Sequence, residues 1–381
     1  MSDKRSQKTV KPTEQIQALL NLRFRAFCIS AHAFLSGILF LIPQSGIGEM
    51  AIPFVAEMDQ VWEAVAVPRQ IAPLFSAQVT RVEPGGRVVI SSSLPDACLA
   101  LTNEIGPTYF EVTGPANHAW LGHRSEVGTG LNATGESLCL KVIPSLRSTR
   151  ADLDASLVGA VIRVYPHITL PLLLDRNTSS ILKAFPQSSL RYYLPAETGF
   201  REFRPRLNPS QSGVSWCVFD DQEFTWISAP LEDLVIAPSE CFVIRSGIRK
   251  GAGFSLVGSD RTNLPCPRPW KGKGPHLLGY PFSSDLLLGR DWPRQGGALT
   301  PSENPADCDY IGVYLPDGYR TYGFFGRSVT TALWREIIKP STRRAAWGAI
   351  TSAITTIPAG QGFLLYPRKD APDHIFYPPQ N

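Results

Sequence analysis

Short runs in which apolar and polar positions alternate dominate the chain from about residue 51 onward. Ser76–Val82 reads Ser-Ala-Gln-Val-Thr-Arg-Val, and Arg87–Ser91 returns as Arg-Val-Val-Ile-Ser after Glu83-Pro84-Gly85-Gly86. A period of two sends successive side chains to opposite faces of a strand, and the Pro-Gly-Gly stretch supplies the turn of a hairpin. Thr108–Val112, Ser137–Val142 and Val158–Val164 are further strands, rich in β-branched and aromatic residues. Turn residues recur every ten or so positions, which predicts an all-β chain of antiparallel sandwich or barrel-like units. One later run, Thr330–Ile338, reads as helical, and Gly258–Gly274, with Pro265, Pro267 and Pro269, reads as a linker.

The second half repeats itself. Tyr193-Leu194-Pro195 recurs as Tyr314-Leu315-Pro316, 121 positions on, and Trp226 recurs as Trp347 at the same offset. Ile236–Ile244 matches Ile357–Leu365, again at 121, which aligns Phe242 with Phe363. Tyr165-Pro166 and Leu172-Leu173 match Tyr280-Pro281 and Leu287-Leu288 at 115. Blocks in the same order at nearly constant offset mark an internal repeat. The expected organisation is an export segment over 1–50, an N-terminal β domain over 51–163, and β repeats over 164–262 and 279–381. Trp226, Trp347, Phe242 and Phe363 are the expected repeat core.

The N-terminal arm differs from all of this. Of the chain's 37 Lys/Arg and 33 Asp/Glu, residues 1–25 hold six and two, so the remainder carries 31 of each. A nucleic-acid-binding protein needs a basic surplus in its folded part, so nucleic acid is set aside as a partner. The stretch Ala26–Gly48 holds no charged residue apart from the titratable His32. Basic residues ahead of a short apolar run have the layout of a secretory signal, with cleavage near Gly48 or Ala51. An uncleaved membrane anchor and a buried helix are the alternatives. Export to the periplasm, outer surface or extracellular space is the expectation, with membrane contact only through this segment.

Cysteine use agrees with an oxidising compartment. Beyond Cys28 in the apolar run, six remain: Cys98, Cys139, Cys217, Cys241, Cys266 and Cys308. An even number permits three bridges, and no Cys-x-x-Cys pair points to zinc. Cys217 and Cys241 are the candidate disulfide, because the 121 offset maps them to Ile338 and Gly362, so both are missing together from the second repeat. Two buried thiols are the alternative.

Ala66-Val67-Pro68, Trp226 with Trp347, and Pro358–Phe363 resemble a family of uncharacterised exported proteins of verrucomicrobial-type bacteria. Its members share a signal segment, a β-rich region opening on valine-alanine-valine-proline, and two copies of a unit that ends in a Trp strand and a proline-Gly-x-Gly-Phe strand. The likeness spans roughly residues 52–381 and departs at Cys241, where the pattern has Gly, and in the longer N-terminal region. It implies export and repetition, and it brings no activity, ligand or catalytic residue with it.

No constellation for chemistry stands out in the residues. Gly-x-Ser-x-Gly is absent, and His118 and His123, five apart, suit neither one strand face nor one helix face as metal ligands. The acid pairs Asp152/Asp154, Asp220/Asp221 and Asp307/Asp309 do not by spacing alone make a glycosidase, whose carboxyls converge from separate strands. No catalytic residue, metal site or cofactor is expected. Eight Trp and eleven Tyr in an exported β protein can stack on sugars, and Trp270 and Trp292, beside Pro and Gly, are the candidate ligand-contact aromatics. Two functions follow as expectations. The first is a structural or interaction protein of the cell envelope or extracellular space, more readily a non-enzyme, with envelope components or polysaccharide as partners. The second is a carbohydrate-binding or carbohydrate-degrading extracellular protein.

Overall fold

The computed structural model describes residues 52–377 apart from 56–60, 92–106, 129–131, 135–136, 144, 146, 151, 185–189, 197–198, 209–212, 247–252, 257–258, 262, 271–273, 290–291, 293–298, 316–317, 339–344, 349–355 and 370. The export segment and Cys28 and Cys98 lie outside the described residues. Met1–Gly46 and Ile47–Asn381 separate as two units, and the second holds everything below. It is all-β, and every ladder between its named strands is antiparallel. Among the described residues no helix is long and apolar enough to cross a membrane.

Three sheets carry the fold. The first has six strands in the order Thr225–Ser228, Val214–Asp220, Gly199–Leu207, Arg191–Ala196, Cys241–Ser246 and Val61–Ala66. The second has six in the order Ala346–Trp347, Leu333–Ile338, Gly318–Phe325, Tyr310–Leu315, Gly362–Tyr366 and His276–Gly279. Traced along the chain, the two orders are the same. Each is flanked by equivalent two-stranded pairings as well: Ile168-Thr169 with Val235-Ile236, and Leu286-Leu287 with Thr356-Ile357. Ile52–Val55 pairs with Gly253–Leu256, and Cys266–Trp270 pairs with Ala371–Phe376.

Between Gln70 and His167 the chain builds the third sheet, seven-stranded, in the order Arg124–Val127, Thr108–Gly114, Val161–Pro166, Phe75–Glu83, Arg87–Ile90, Ser137–Lys141 and Asn132–Thr134. It curls until Val127 bridges Val142, with Gly128 N donating to Lys141 O at 2.8 Å. Period-two burial along Phe75–Glu83 puts Phe75, Ala77 and Val79 inside with Phe110, Val112, Ile162 and Val164. The strands Ile52–Val55 and Val61–Ala66 do not join this sheet. They pair with residues 241–256 instead, so the expected boundary at 163/164 does not divide the structure.

The core of the first sheet is closed by a helix, Leu170–Ala184, which carries the Leu172-Leu173 block of the repeat. Leu170, Leu173 and Leu174 recur at helical spacing and are buried, while Pro171 sits in the first turn, where its missing N–H costs nothing. At the same place along the second sheet, Leu288, Trp292 and Leu299 cover the core. The expected helix over Thr330–Ile338 is instead the strand Leu333–Ile338, paired with Gly318–Phe325. The expected linker holds the strand Cys266–Trp270.

The two six-stranded sheets meet through reciprocal contacts. Ala66 N donates to Gly360 O, and Gly279 N donates to Ser239 O, each at 2.9 Å. Ser239 and Gly360 both have positive φ, 66° and 82°, in turns closed by Glu240 N to Ala237 O and Gln361 N to Pro358 O. Gly279 is required here, since a Cβ would lie 2.4 Å from Glu240 O.

Candidate functional site

Several residues that drew attention in the sequence occupy other places than expected. Cys217 and Cys241 are free thiols. The strands Gly199–Leu207 and Arg191–Ala196 lie between theirs, so at about 4.8 Å per strand their backbones stand at least about 14 Å apart, beyond the reach of a disulfide. The ladders also place Cys217 level with Arg335 rather than Ile338, because Val218 faces Phe203 as Glu336 faces Tyr322. Cys241 instead packs on Gly362 and donates its S–H to Leu278 O at 3.2 Å.

Trp270 and Trp292 are not surface aromatics. They are 4% and 0% exposed. Trp292 lies parallel to Trp334 at 5.2 Å and touches Phe363 and Phe376. Pro267 and Pro269 before Trp270 lie in a strand covered by its partner Ala371–Phe376, not in a loop. Phe242 and Phe363 are buried in the two cores. Trp226 and Trp347 are only half-buried, because each sits on an edge strand with one flank uncovered. Trp226 meets Phe219 edge-on under Arg204, and Trp347 meets Phe325 edge-on under Arg335.

His118 Nδ1 accepts from Trp120 N, and buried His123 bonds Thr149 Oγ1 at 2.9 Å. Burial first, then Arg150 and Arg124, push His123 down to about 4, so the ring is neutral at pH 7. Asp220 caps its own turn by accepting from Gln222 N at 2.8 Å. Among the described residues no three His, Cys, Asp or Glu side chains are grouped to hold a metal.

A buried polar network joins the curled sheet to the rest. Glu111 pairs with Arg261, and Gln70 Nε2 donates to Tyr109 OH at 3.2 Å and to Glu111 Oε2 at 3.4 Å. Glu126 Oε2 and His167 Nε2 are 2.7 Å apart. Arg124 donates to Cys266 Sγ at 2.8 Å and to the carbonyls of Pro238 and Pro267. Glu240 accepts from Ala237 N and pairs with Arg268 and Arg147. Burial works against the charge on Arg261, but Glu111 together with Cys266, Tyr109 and Tyr165 outweighs it and holds the guanidinium above its ordinary pKa. Burial raises the Tyr109 phenol, which stays neutral. The one signal for this in the sequence is a charge inside an apolar strand, as in Tyr109-Phe110-Glu111-Val112.

The face of the second sheet that turns from its core carries an aromatic cleft. Ile311 and Val313 point into the core, so Tyr310 and Gly312 point the other way. Tyr310 lies directly across from Tyr366, and their rings stack at 4.4 Å and 12°. Gly312 leaves room for Tyr319, whose hydroxyl a Cβ there would strike at 1.8 Å, and Tyr319 hydrogen-bonds Tyr366. Gly274, Pro275, Pro367 and Arg368 complete a cleft of about 190 Å3. Arg368 is held by Cys308 O at 3.1 Å and by Ala306 O, and its own N–H donates to Asp309 Oδ1. Asp309 Oδ2 accepts from Thr300 N at 2.6 Å. Burial, with Tyr366 next, pushes the Tyr310 phenol up to about 12, and burial raises the Tyr366 phenol, so both remain neutral hydrogen-bonding groups at pH 7. The arrangement can bind. It offers an aromatic wall and one fixed cation, and among the described residues no acid stands on its lining.

No protein-family model, curated protein or solved structure matches the chain.

Proposed function

We propose that the protein is an exported structural or interaction protein of the cell envelope, assembled from a duplicated β unit with a curled sheet inserted into the first copy. What supports duplication is the shared strand order of the two six-stranded sheets, together with their matching flanking pairs and matching αL turns at Ser239 and Gly360. The copies then span 52–70 with 168–256, and 266–376. Export rests on the basic arm and the apolar run Ala26–Gly48.

The observation that carries the non-catalytic reading is the engagement of the buried carboxylates. Glu111, Glu126, Glu240 and Asp309 each spend their oxygens on a cation, a histidine or a backbone N–H. Acid–base hydrolysis of a glycoside needs two carboxyls free to face a substrate across a cleft. Polysaccharide binding is the second reading, and the cleft at Tyr310 and Tyr366 favours it.

Fractionation of cells that make the native protein tests the proposal. The chain is expected in the envelope or medium, sedimenting with envelope material and releasing no reducing sugar from it. A cytoplasmic chain beginning at Met1, or sugar release lost on substituting one of these carboxylates, overturns it.

A further inference from the structure

We propose that the cleft between Tyr310, Tyr366 and Arg368 binds an acidic sugar residue, a pyranose that carries a carboxylate. The inference rests on the polysaccharide-binding reading and names its site and its ligand class.

Size sets the first limit. About 190 Å3 is below the usual range for a drug-sized ligand, and it suits a single ring, one residue of a longer polymer. The walls set the second. Tyr310 and Tyr366 stack face to face, so each ring keeps one flat face that the other does not cover, and Pro275 and Pro367 add aliphatic rings beside the pair. The C–H face of a pyranose lies well on such a surface, and its hydroxyls suit the neutral phenols. A proline-rich helix would also favour aromatic walls, but it needs a groove several residues long.

Charge sets the third limit. Among the described residues the lining holds one cation, Arg368, and no acid. The nearby carboxylate, Asp309, is fully buried and turned onto the N–H groups of Thr300 and Arg368. Arg368 is fixed by two carbonyls, so little side-chain freedom is lost when a ligand meets it. A guanidinium held in this way matches a carboxylate in geometry and charge.

The test uses the full chain, with tri-galacturonate as probe and the neutral trigalactose as its counterpart, by calorimetry. The acidic trisaccharide should bind at least tenfold more tightly. Tyr310→Ala should weaken both ligands about tenfold. Arg368→Met should erase the preference, but Arg368 also fixes the 306–309 segment. Pro275→Asp is therefore the second variant. It places an acid on the exposed rim, where the fold does not depend on it, and should cost the acidic ligand at least tenfold while the unfolding temperature stays the same.

Equal affinity for the two trisaccharides, or an acidic affinity untouched by Tyr310→Ala and Pro275→Asp, overturns the proposal. So does tight binding of an oligoproline that tri-galacturonate does not displace. If neutral glycans bind and Tyr310→Ala leaves that binding intact, polysaccharide binding stands and this cleft falls. If no glycan binds, both fall.

Discussion

Glu111→Gln removes one charge from the most enclosed ion pair of the network. Glu111 is 0% exposed and Arg261 5%. Arg261 Nε and Nη1 have no hydrogen-bond partner among the described residues, so no second acceptor takes over when the carboxylate is lost. Removing one partner of a buried pair typically costs about 3–5 kcal/mol, chiefly because the other charge is left uncompensated. The value here should lie in the middle of that range, since Gln70 can still donate to the new amide oxygen. Removing both charges, as Glu111→Leu with Arg261→Met, should recover most of the loss, because a buried pair and an apolar replacement of similar volume are close in free energy. Urea unfolding of the full chain, for both single variants and the double, gives the coupling energy, expected at about 2–4 kcal/mol. The effect should persist in high salt, because ions do not reach the pair to screen it. A Glu111→Gln variant within about 1 kcal/mol of the parent, or single effects that simply add, would refute the reasoning.

Three further outcomes are expected. Because His123 is held down to about 4, the unfolded chain binds a proton that the folded one refuses between about pH 6.5 and 4. Stability should therefore fall by up to about 3 kcal/mol as pH drops through that window, and less so in His123→Gln. An imidazole that titrates near 6.5 by NMR would contradict this. Gly362→Ala should destabilise by about 1–3 kcal/mol, since its Cβ would meet Cys241 Sγ at 2.4 Å, and Cys241→Ala should relieve only part of this, because the Cβ at position 241 stays at 2.9 Å; thermal unfolding of the single and double variants reads both. Cys217 and Cys241 should both alkylate in denaturant without reductant, and a non-reduced peptide linking them would overturn the strand order of the first sheet.

Alternation made the strands of the curled sheet legible, and so did the turn at Gly85-Gly86. The helix Leu170–Ala184 was hidden because its first turn, Leu-Pro-Leu-Leu-Leu, is apolar at every position and shows no period. Thr330–Ile338 misled in the opposite way. Its local composition suits a helix, but pairing of Trp334 with Phe324 holds it as a strand, where sheet context outweighs propensity. Trp270 and Trp292 misled because Pro and Gly report turns along the chain and nothing about what lies across the sheet. Tyr310 and Tyr366 are 56 positions apart and Glu111 and Arg261 are 150 apart, so only the register of distant strands brings either pair together.

The inserted sheet explains why so much charge is buried at one place. It leaves the first unit after Gln70 and returns at His167, and its entry and exit strands are neighbours: Phe75 lies across from Val164, and Leu74 N donates to Val164 O. Adjacent ends let a long insertion be carried at little cost in closure entropy. They also leave a two-strand stalk about which the insert could turn. Apolar contact alone resists such rotation poorly, because it has no preferred direction. Glu111 with Arg261, Arg124 with the carbonyls of Pro238 and Pro267, and Arg147 with Glu240 each tie the insert to a segment outside it. Hydrogen-bonded charges have direction, and an orientation that misaligned any of them would bury it unpaired. The network therefore fixes the angle of the insert.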